Sequence, residues 1–128
     1  MFIPIKSSED IKAFRDQTNN LHDGYVIDVR YTNGGILREG NRLWFHPEQT
    51  KLVIQILITS MFDVVVELEF EEILQWQIKD TEWDMTDNSV VIDENNWIIW
   101  SDDVYIDLDY VKERSYVIAR SMKWRIVK

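Results

Sequence analysis

The stretch KLVIQILITSMFDVVVELEFEEILQWQI, residues Lys51–Ile78, decides the fold of this chain. Apolar side chains occupy every second position in its first part, and the alternation resumes after a short break at 60–63. A third run after the acidic pair at 71–72 places three apolar residues on one face, namely Leu74, Trp76 and Ile78. Period two with many β-branched residues is typical of antiparallel strands that pack one face on a core. We therefore predict that this stretch forms the middle of an antiparallel sheet.

The segment before this stretch predicts one helix and two further strands. Ser7–Asp10 supplies a cap and acidic residues for a first turn, and apolar residues then follow at helical spacing, which predicts a helix over Ser8–Asn19. Tyr25–Tyr31 alternates as a strand and ends at the Asn33–Gly35 turn. A polar excursion then leads into a strand over Leu43–His46, which Pro47 ends.

The segment after it predicts more short strands separated by turns. Thr81–Asn88 is polar and acidic, which indicates a long loop. The remaining predicted elements are a hairpin of Ser89–Ile92 with Trp97–Trp100, a strand over Val104–Leu108, and a long strand over Tyr116–Ile126 with a bulge at Arg120–Ser121.

Together these patterns predict one domain, residues 1–128, of the α+β class and mainly β. We expect an antiparallel meander of seven to nine strands with one N-terminal helix, arranged either as a curled sheet or as a flattened sandwich. A chain of 128 residues is long enough to bury a core in a single domain.

Composition excludes several classes of function. The chain has no cysteine, so thiolate metal sites and cysteine nucleophiles are excluded. It has only four glycines, no G-x-S-x-G motif and no glycine-rich phosphate loop, which favours a binding module over an enzyme and predicts no cofactor. The start of the chain lacks the basic region of a signal peptide, and no apolar run approaches the roughly 20 residues of a membrane span. We therefore expect a cytoplasmic protein.

The negative charge is concentrated in one quarter of the chain. The net charge is -9, and residues 80–111 contain ten Asp or Glu and no Lys or Arg, so that segment carries -10 and the remainder +1. Phosphate backbones would be repelled by such a surface, which argues against nucleic acid as its partner. A basic protein would be attracted to it.

Within this segment, exposed carboxylates beside a tryptophan predict a partner-binding surface, because an aromatic anchor inside a charged rim suits a basic partner. The predicted residues are Asp80, Glu82, Trp83, Asp84, Asp102, Asp103, Asp107 and Asp109. Trp83 lies in a polar loop and is expected to be partly exposed, whereas Trp76 and Trp124 are expected to fill the core. The simpler alternative to a partner-binding surface is an acidic face that only contacts water. A calcium site is a weaker alternative, since neither the acidic residues near 80–87 nor those near 102–109 reproduce the D-x-D-x-D-G loop.

Two other functions stay open. An imidazole beside a carboxylate can act as a general base or bind a metal, so His22, Asp23 and His46 form an alternative site for an enzyme or a metal-binding or ligand-binding domain. A structural domain that forms a homodimer through strand edges or exposed tryptophans is the third possibility.

Three motifs carry a resemblance to a known family: Leu21–Gly24, Trp97–Asp103 and Tyr116–Arg125. With these motifs in order over most of residues 21–127, the chain resembles a family of small, uncharacterised bacterial proteins. Its size, its acidity and its His-Asp turn are also similar to those of immunity proteins that neutralise bacterial toxins. The first resemblance implies no activity, and the second implies that the chain binds and neutralises a basic protein.

Overall fold

The computed structural model describes residues 1–38, 42–103 and 113–127, without the side chains of 36–45 and 47. These residues confirm the α+β class, mainly β, with one α-helix and nine strands in the described part of the chain. The elements in chain order are β1 (Ile3–Pro4), α1 (Ser8–Gln17), β2 (Gly24–Thr32), β3 (Gly35–Arg38), β4 (Arg42–Phe45), β5 (Lys51–Ile58), β6 (Val64–Gln77), β7 (Ser89–Ile92), β8 (Ile98–Ser101) and β9 (Tyr116–Ile126). The strand predicted over Val104–Leu108 lies outside the described residues.

The helix begins where its sequence predicts. The Ser7 hydroxyl accepts a hydrogen bond from the Asp10 N–H at 3.2 Å, which satisfies one of the free amides of the first turn. The helix ends at Gln17, two residues before the predicted end. There the Thr18 hydroxyl donates to the Phe14 carbonyl at 2.6 Å, and the chain turns away through left-handed conformations at Asn19 and Asn20.

Seven of these strands form one antiparallel sheet. Six of them follow the order β2-β5-β6-β9-β8-β7, and the seventh, β1, pairs with the C-terminal half of β9. Strands β3 and β4 form a separate two-stranded hairpin, which lies in the part of the chain that connects β2 to β5. The sheet is open but curled, as an isolated antiparallel bridge between Met85, just before β7, and Gly24 of β2 shows. The two ends of the sheet therefore approach each other, and the curled alternative describes this fold better than the sandwich.

The core lies on the concave face of the sheet, under the helix. All four alternating residues of β5 are fully buried, as their spacing predicts: Leu52, Ile54, Ile56 and Ile58. Phe14 of α1 contacts Trp124 with ring centroids 5.4 Å apart, and Phe70 lies 6.3 Å from Trp100. The prediction that Trp124 belongs to the core is confirmed, and Trp76 is half-buried against it.

Strand β6 differs from its prediction. The break at 60–63 is present, but Val64–Gln77 forms one continuous strand instead of two. A register shift lies between Ile73 and Gln75, and Leu74 inside it is 62% exposed, so Leu74 does not share the core face. Glu72 has a positive φ of 52°. This irregularity does not end the strand, since pairing with β9 continues on both sides of it.

The bulge predicted in β9 is located in its partner instead. Strand β9 keeps a continuous register across Arg120 and Ser121, while its buried positions change phase from Ala119 to Met122. The register shift in β6 lies opposite Ile118 and Ala119, next to the phase change in β9.

The convex face of the sheet carries a ladder of ion pairs. Glu67 and Glu69 of β6 are buried, with 4% and 6% of their surface exposed. Glu69 accepts from Lys51 at 2.9 Å and Lys123 at 3.0 Å, and Glu67 accepts from Arg125 at 2.7 Å. Carboxylates tolerate this burial because cations on both neighbouring strands pair with them.

Candidate functional site

An acidic pocket lies where the loop before β7 crosses the end of the curled sheet. Its volume is about 390 Å³. Loop residues 79–87, apart from Glu82, form one side, the residues just after β8 and just before β9 form the other, and Val26 of β2 also lines the pocket. The carboxylates that line it are Asp80, Asp84, Asp87, Asp102 and Asp103.

A buried asparagine fixes the end of the loop. The side-chain amide of Asn88 donates to the Asn20 carbonyl at 2.8 Å, and its oxygen accepts from the Trp100 indole N–H at 3.1 Å. Because Asn88 bonds both the turn after α1 and the core tryptophan, the loop is held against two parts of the fold.

The bridge to β2 fixes the middle of the loop. Met85 N–H donates to the Gly24 carbonyl at 2.8 Å, and Asp23 N–H donates to the Met85 carbonyl at 3.0 Å. A Cβ atom at Gly24 would lie 2.7 Å from the Leu21 carbonyl oxygen and 2.8 Å from Ile56. Only glycine allows this close approach.

Serine side chains build the opposite wall. The buried Ser115 hydroxyl donates to the Lys79 carbonyl at 3.1 Å and accepts from the Lys79 N–H at 3.0 Å. The Ser101 hydroxyl donates to the Ser115 carbonyl at 3.1 Å. These bonds hold the start of the loop against the ends of β8 and β9.

Two neighbouring carboxylates on that wall have different environments. Burial raises the pKa of Asp102 above its ordinary 3.8, against the opposing effects of Ser115 and Arg114. Among the described residues, Asp102 Oδ1 is buried without a hydrogen-bond partner. Asp103 instead lies 3.3 Å from the Arg114 guanidinium. The pocket thus holds one carboxylate that is paired and one that has an unused acceptor.

Trp83 lies beside the carboxylates and is 71% exposed, which confirms that it is not a core residue. A wide aromatic face next to carboxylates can hold a cation, because the ring face attracts positive charge and the carboxylates accept its hydrogen bonds.

His22 lies beside the same loop. Its Nδ1 bonds the Thr86 carbonyl, and its ring nitrogens lie 3.7 Å from Asp23 and 3.8 Å from Asp87. The bond to Thr86, followed by the charge of Asp23, raises the pKa of His22 above its ordinary 6.5, and Asp87 and Asp84 add to this effect.

The predicted surface is brought together in part. Asp80, Trp83, Asp84, Asp102 and Asp103 line the pocket. Glu82 is exposed in the same loop but does not line the pocket, and Asp107 and Asp109 lie outside the described residues.

The remaining pocket residues were not predicted as a site. Asp87 was visible in the acidic run, but Val26 lies in β2, and Arg114 and Ser115 lie just before β9, far away in the sequence. No local pattern identifies them, because their position depends on how the sheet curls.

The alternative site is not assembled. His22 precedes β2 and His46 bonds Gly34 beyond its other end, so about 25 Å of strand separates them. His46 Nδ1 lies 3.2 Å from Glu48 instead. Within residues 1–38, 42–103 and 113–127, no three His, Asp or Glu side chains are placed to hold a metal ion.

The helix in the described residues is too short to cross a membrane. Models of known protein families, curated proteins and solved structures were all compared with this chain, and none of them matches it.

Proposed function

We propose that this protein is a non-catalytic binding module whose acidic pocket receives basic side chains of a protein partner. The observation that carries this proposal is the convergence of five carboxylates and the exposed Trp83 on one pocket of about 390 Å³. The loop that supplies most of them is fastened to three separate parts of the fold, so the carboxylates are held in place before a partner arrives.

Arginine or lysine is the chemistry that suits the pocket. A guanidinium can bond a carboxylate through two N–H groups and stack on an indole, and both acceptors are present here. Asp102 Oδ1 is buried without a partner among the described residues, and the positive charge of a side chain bound in the pocket would offset the lost hydration of this carboxylate.

The proposal extends to the biological role. An immunity-type protein of the bacterial cytoplasm, which blocks a basic toxin by covering its cationic surface, would use such a pocket. The charge pattern supports this role, since the field of residues 80–111 would speed the encounter with a basic partner.

A capture experiment with matched charge variants tests the proposal. The tagged protein is incubated with lysate of its native host at low salt, in three forms: wild type, Asp80→Asn with Asp84→Asn, and Asp16→Asn with Glu94→Gln. Both double variants remove two negative charges from exposed positions, but only the first alters the pocket. We expect a basic protein to be retained by the wild type and the control and lost by the pocket variant.

Salt gives a second readout on the captured protein. Its association rate should fall as ionic strength rises past about 0.15 M, where the screening length is about 8 Å. Equal retention by all three forms, or retention of no basic protein, would refute the proposal.

A further inference from the structure

Three loops meet at one end of the molecule, and we call them together the loop end: residues 19–23, 59–63 and 80–87. The turn at 22–23 lies in the middle and bonds both neighbours. On one side the Ser60 hydroxyl donates to the His22 carbonyl at 2.6 Å, and the Thr59 hydroxyl donates to the Asp23 carbonyl at 3.0 Å. On the other side His22 bonds Thr86, and Asp23 bonds Met85. The hairpin tip between β5 and β6 is therefore fastened beside residues 80–87, which we call the acidic loop.

The loop end carries charge of one sign. Its three segments contain six carboxylates and neither lysine nor arginine: Asp23, Asp63, Asp80, Glu82, Asp84 and Asp87. His22 is the single titratable base within these segments. A partner that covers this end must be basic, because an acidic or neutral surface would leave the carboxylates desolvated and unpaired.

Phe62 projects from the hairpin tip of the loop end and is fully exposed. Its backbone is left-handed, with φ 57° and ψ 46°, a conformation that a bulky residue adopts at a cost. Its neighbour Met61 packs against the core, and Ser60 is held by His22 and by the Asn19 side chain at 3.2 Å. Neither core packing nor backbone preference explains phenylalanine at this position.

We infer that Phe62 is an apolar anchor of the interface with the basic partner, and that the partner therefore presents an apolar pocket beside its basic surface. This inference rests on the proposed function and extends its surface from the acidic pocket to the hairpin tip. An aromatic side chain on a rigid support inside a charged rim has the properties of residues that dominate binding energy.

A second copy of this chain fits the loop end less well. Two copies meeting there would place six carboxylates against six, which is repulsive. A basic protein is thus the occupant that charge complementarity favours.

Photo-crosslinking tests the inference. Three variants carry p-benzoylphenylalanine in place of Phe62, Trp83 or Leu74, and each is irradiated in cells of the native host. Leu74 is the matched control, an apolar residue that is 62% exposed but lies on β6 away from the loop end. We expect the probes at 62 and 83 to capture the same basic protein, the probe at 74 not to capture it, and Asp80→Asn with Asp84→Asn to abolish both adducts.

The outcomes separate the two proposals. A basic adduct at 83 without one at 62 would overturn the anchor and leave the proposed function standing. An adduct with a second copy, or no adduct at either position, would overturn both.

Purified partner then gives the energetic test. Phe62→Gly should weaken binding about tenfold or more, whereas Leu74→Gly should leave it unchanged. Because glycine adopts the left-handed conformation freely, Phe62→Gly should keep its urea unfolding midpoint, so a loss of binding would not reflect a loss of fold. Equal affinity of wild type and Phe62→Gly would overturn the inference.

Discussion

Met85 donates its N–H to the carbonyl of Gly24 at 2.8 Å, and this bond joins the acidic loop to the strand at the opposite end of the sheet order. The loop is the connection into β7, whereas Gly24 begins β2. The bond therefore forms only because the sheet curls, and it places Asp84 and Asp87 next to Val26 and His22. The pocket is a consequence of sheet curvature more than of any local motif.

Gly24→Ala should disrupt this junction. The new methyl group would lie 2.7 Å from a backbone oxygen and 2.8 Å from a core side chain, so the backbone must shift. We expect the free energy of unfolding to fall by about 1–3 kcal/mol. Urea unfolding measures the loss, and faster hydrogen exchange at the Met85 amide would show that the loop is released. An unchanged midpoint and unchanged exchange would contradict the close approach described here.

His22 should titrate above pH 6.5 in the folded protein. Its bond to Thr86 and the charge of Asp23 favour the protonated ring, so its contribution to stability is complete below pH 6.5 and is lost as pH rises through the raised pKa. Asp23→Asn should lower this pKa toward 6.5 without reaching it, because the Thr86 bond remains. Asparagine also suits the positive φ of residue 23.

NMR titration of the His22 ring protons measures both values. The same midpoint in wild type and Asp23→Asn would show that Asp23 does not influence the ring.

Local pattern predicted much of this fold because each signal depends on neighbours in sequence. The alternation of Leu52–Ile58, the cap at Ser7 and the polar turn after Ile92 each required only a few adjacent residues. The position of β9 between β6 and β8 could not be read in the same way, since many registers satisfy the same alternation. The exposed Trp83 followed from its polar loop, but the wall at Arg114 and Ser115 depends on long-range pairing.

The buried glutamates illustrate the same limit. Glu67 and Glu69 alternate with apolar residues, a pattern typical of a strand with one side in water, yet both are buried. Their cover comes from Lys51, Lys123 and Arg125 on the neighbouring strands, so it depends on register.

Glu69→Gln should remove part of this ladder. Burial alone would raise the pKa of Glu69, but hydrogen bonds from Lys51 and Lys123 outweigh it and hold the pKa below 4.5. We expect a loss of about 1–2 kcal/mol at pH 7, because two half-exposed lysines lose the negative charge that they share and one of its two acceptor oxygens. The stabilisation by Glu69 is present above pH 4.5 and disappears as pH falls through the lowered pKa.

Urea unfolding of wild type and Glu69→Gln at pH 7 and pH 3 checks this sign. The difference between their free energies of unfolding should be smaller at pH 3 than at pH 7. Glu71→Gln is the matched control, since the Glu71 side chain is 42% exposed and its one ion pair in the described residues is with Lys123 at 3.6 Å. Its loss of stability should be smaller. A larger loss of stability in Glu71→Gln than in Glu69→Gln would refute the ion pairs of Glu69 as the source of the stabilisation.

Asp102→Asn should have the opposite effect on stability. Burial raises the pKa of Asp102, so its carboxyl stabilises the fold when protonated and costs stability as pH rises through the raised pKa. At pH 7 the variant should be as stable as the wild type or more stable by up to about 1 kcal/mol, and the gain should vanish near pH 3. The exposed Asp84→Asn serves as control and should leave the midpoint unchanged. If Asp102→Asn is more stable than the wild type but no longer binds the basic partner, then the charge of Asp102 serves binding and lowers stability. A variant that is less stable than the wild type at pH 7 would mean that the carboxylate supports the fold instead.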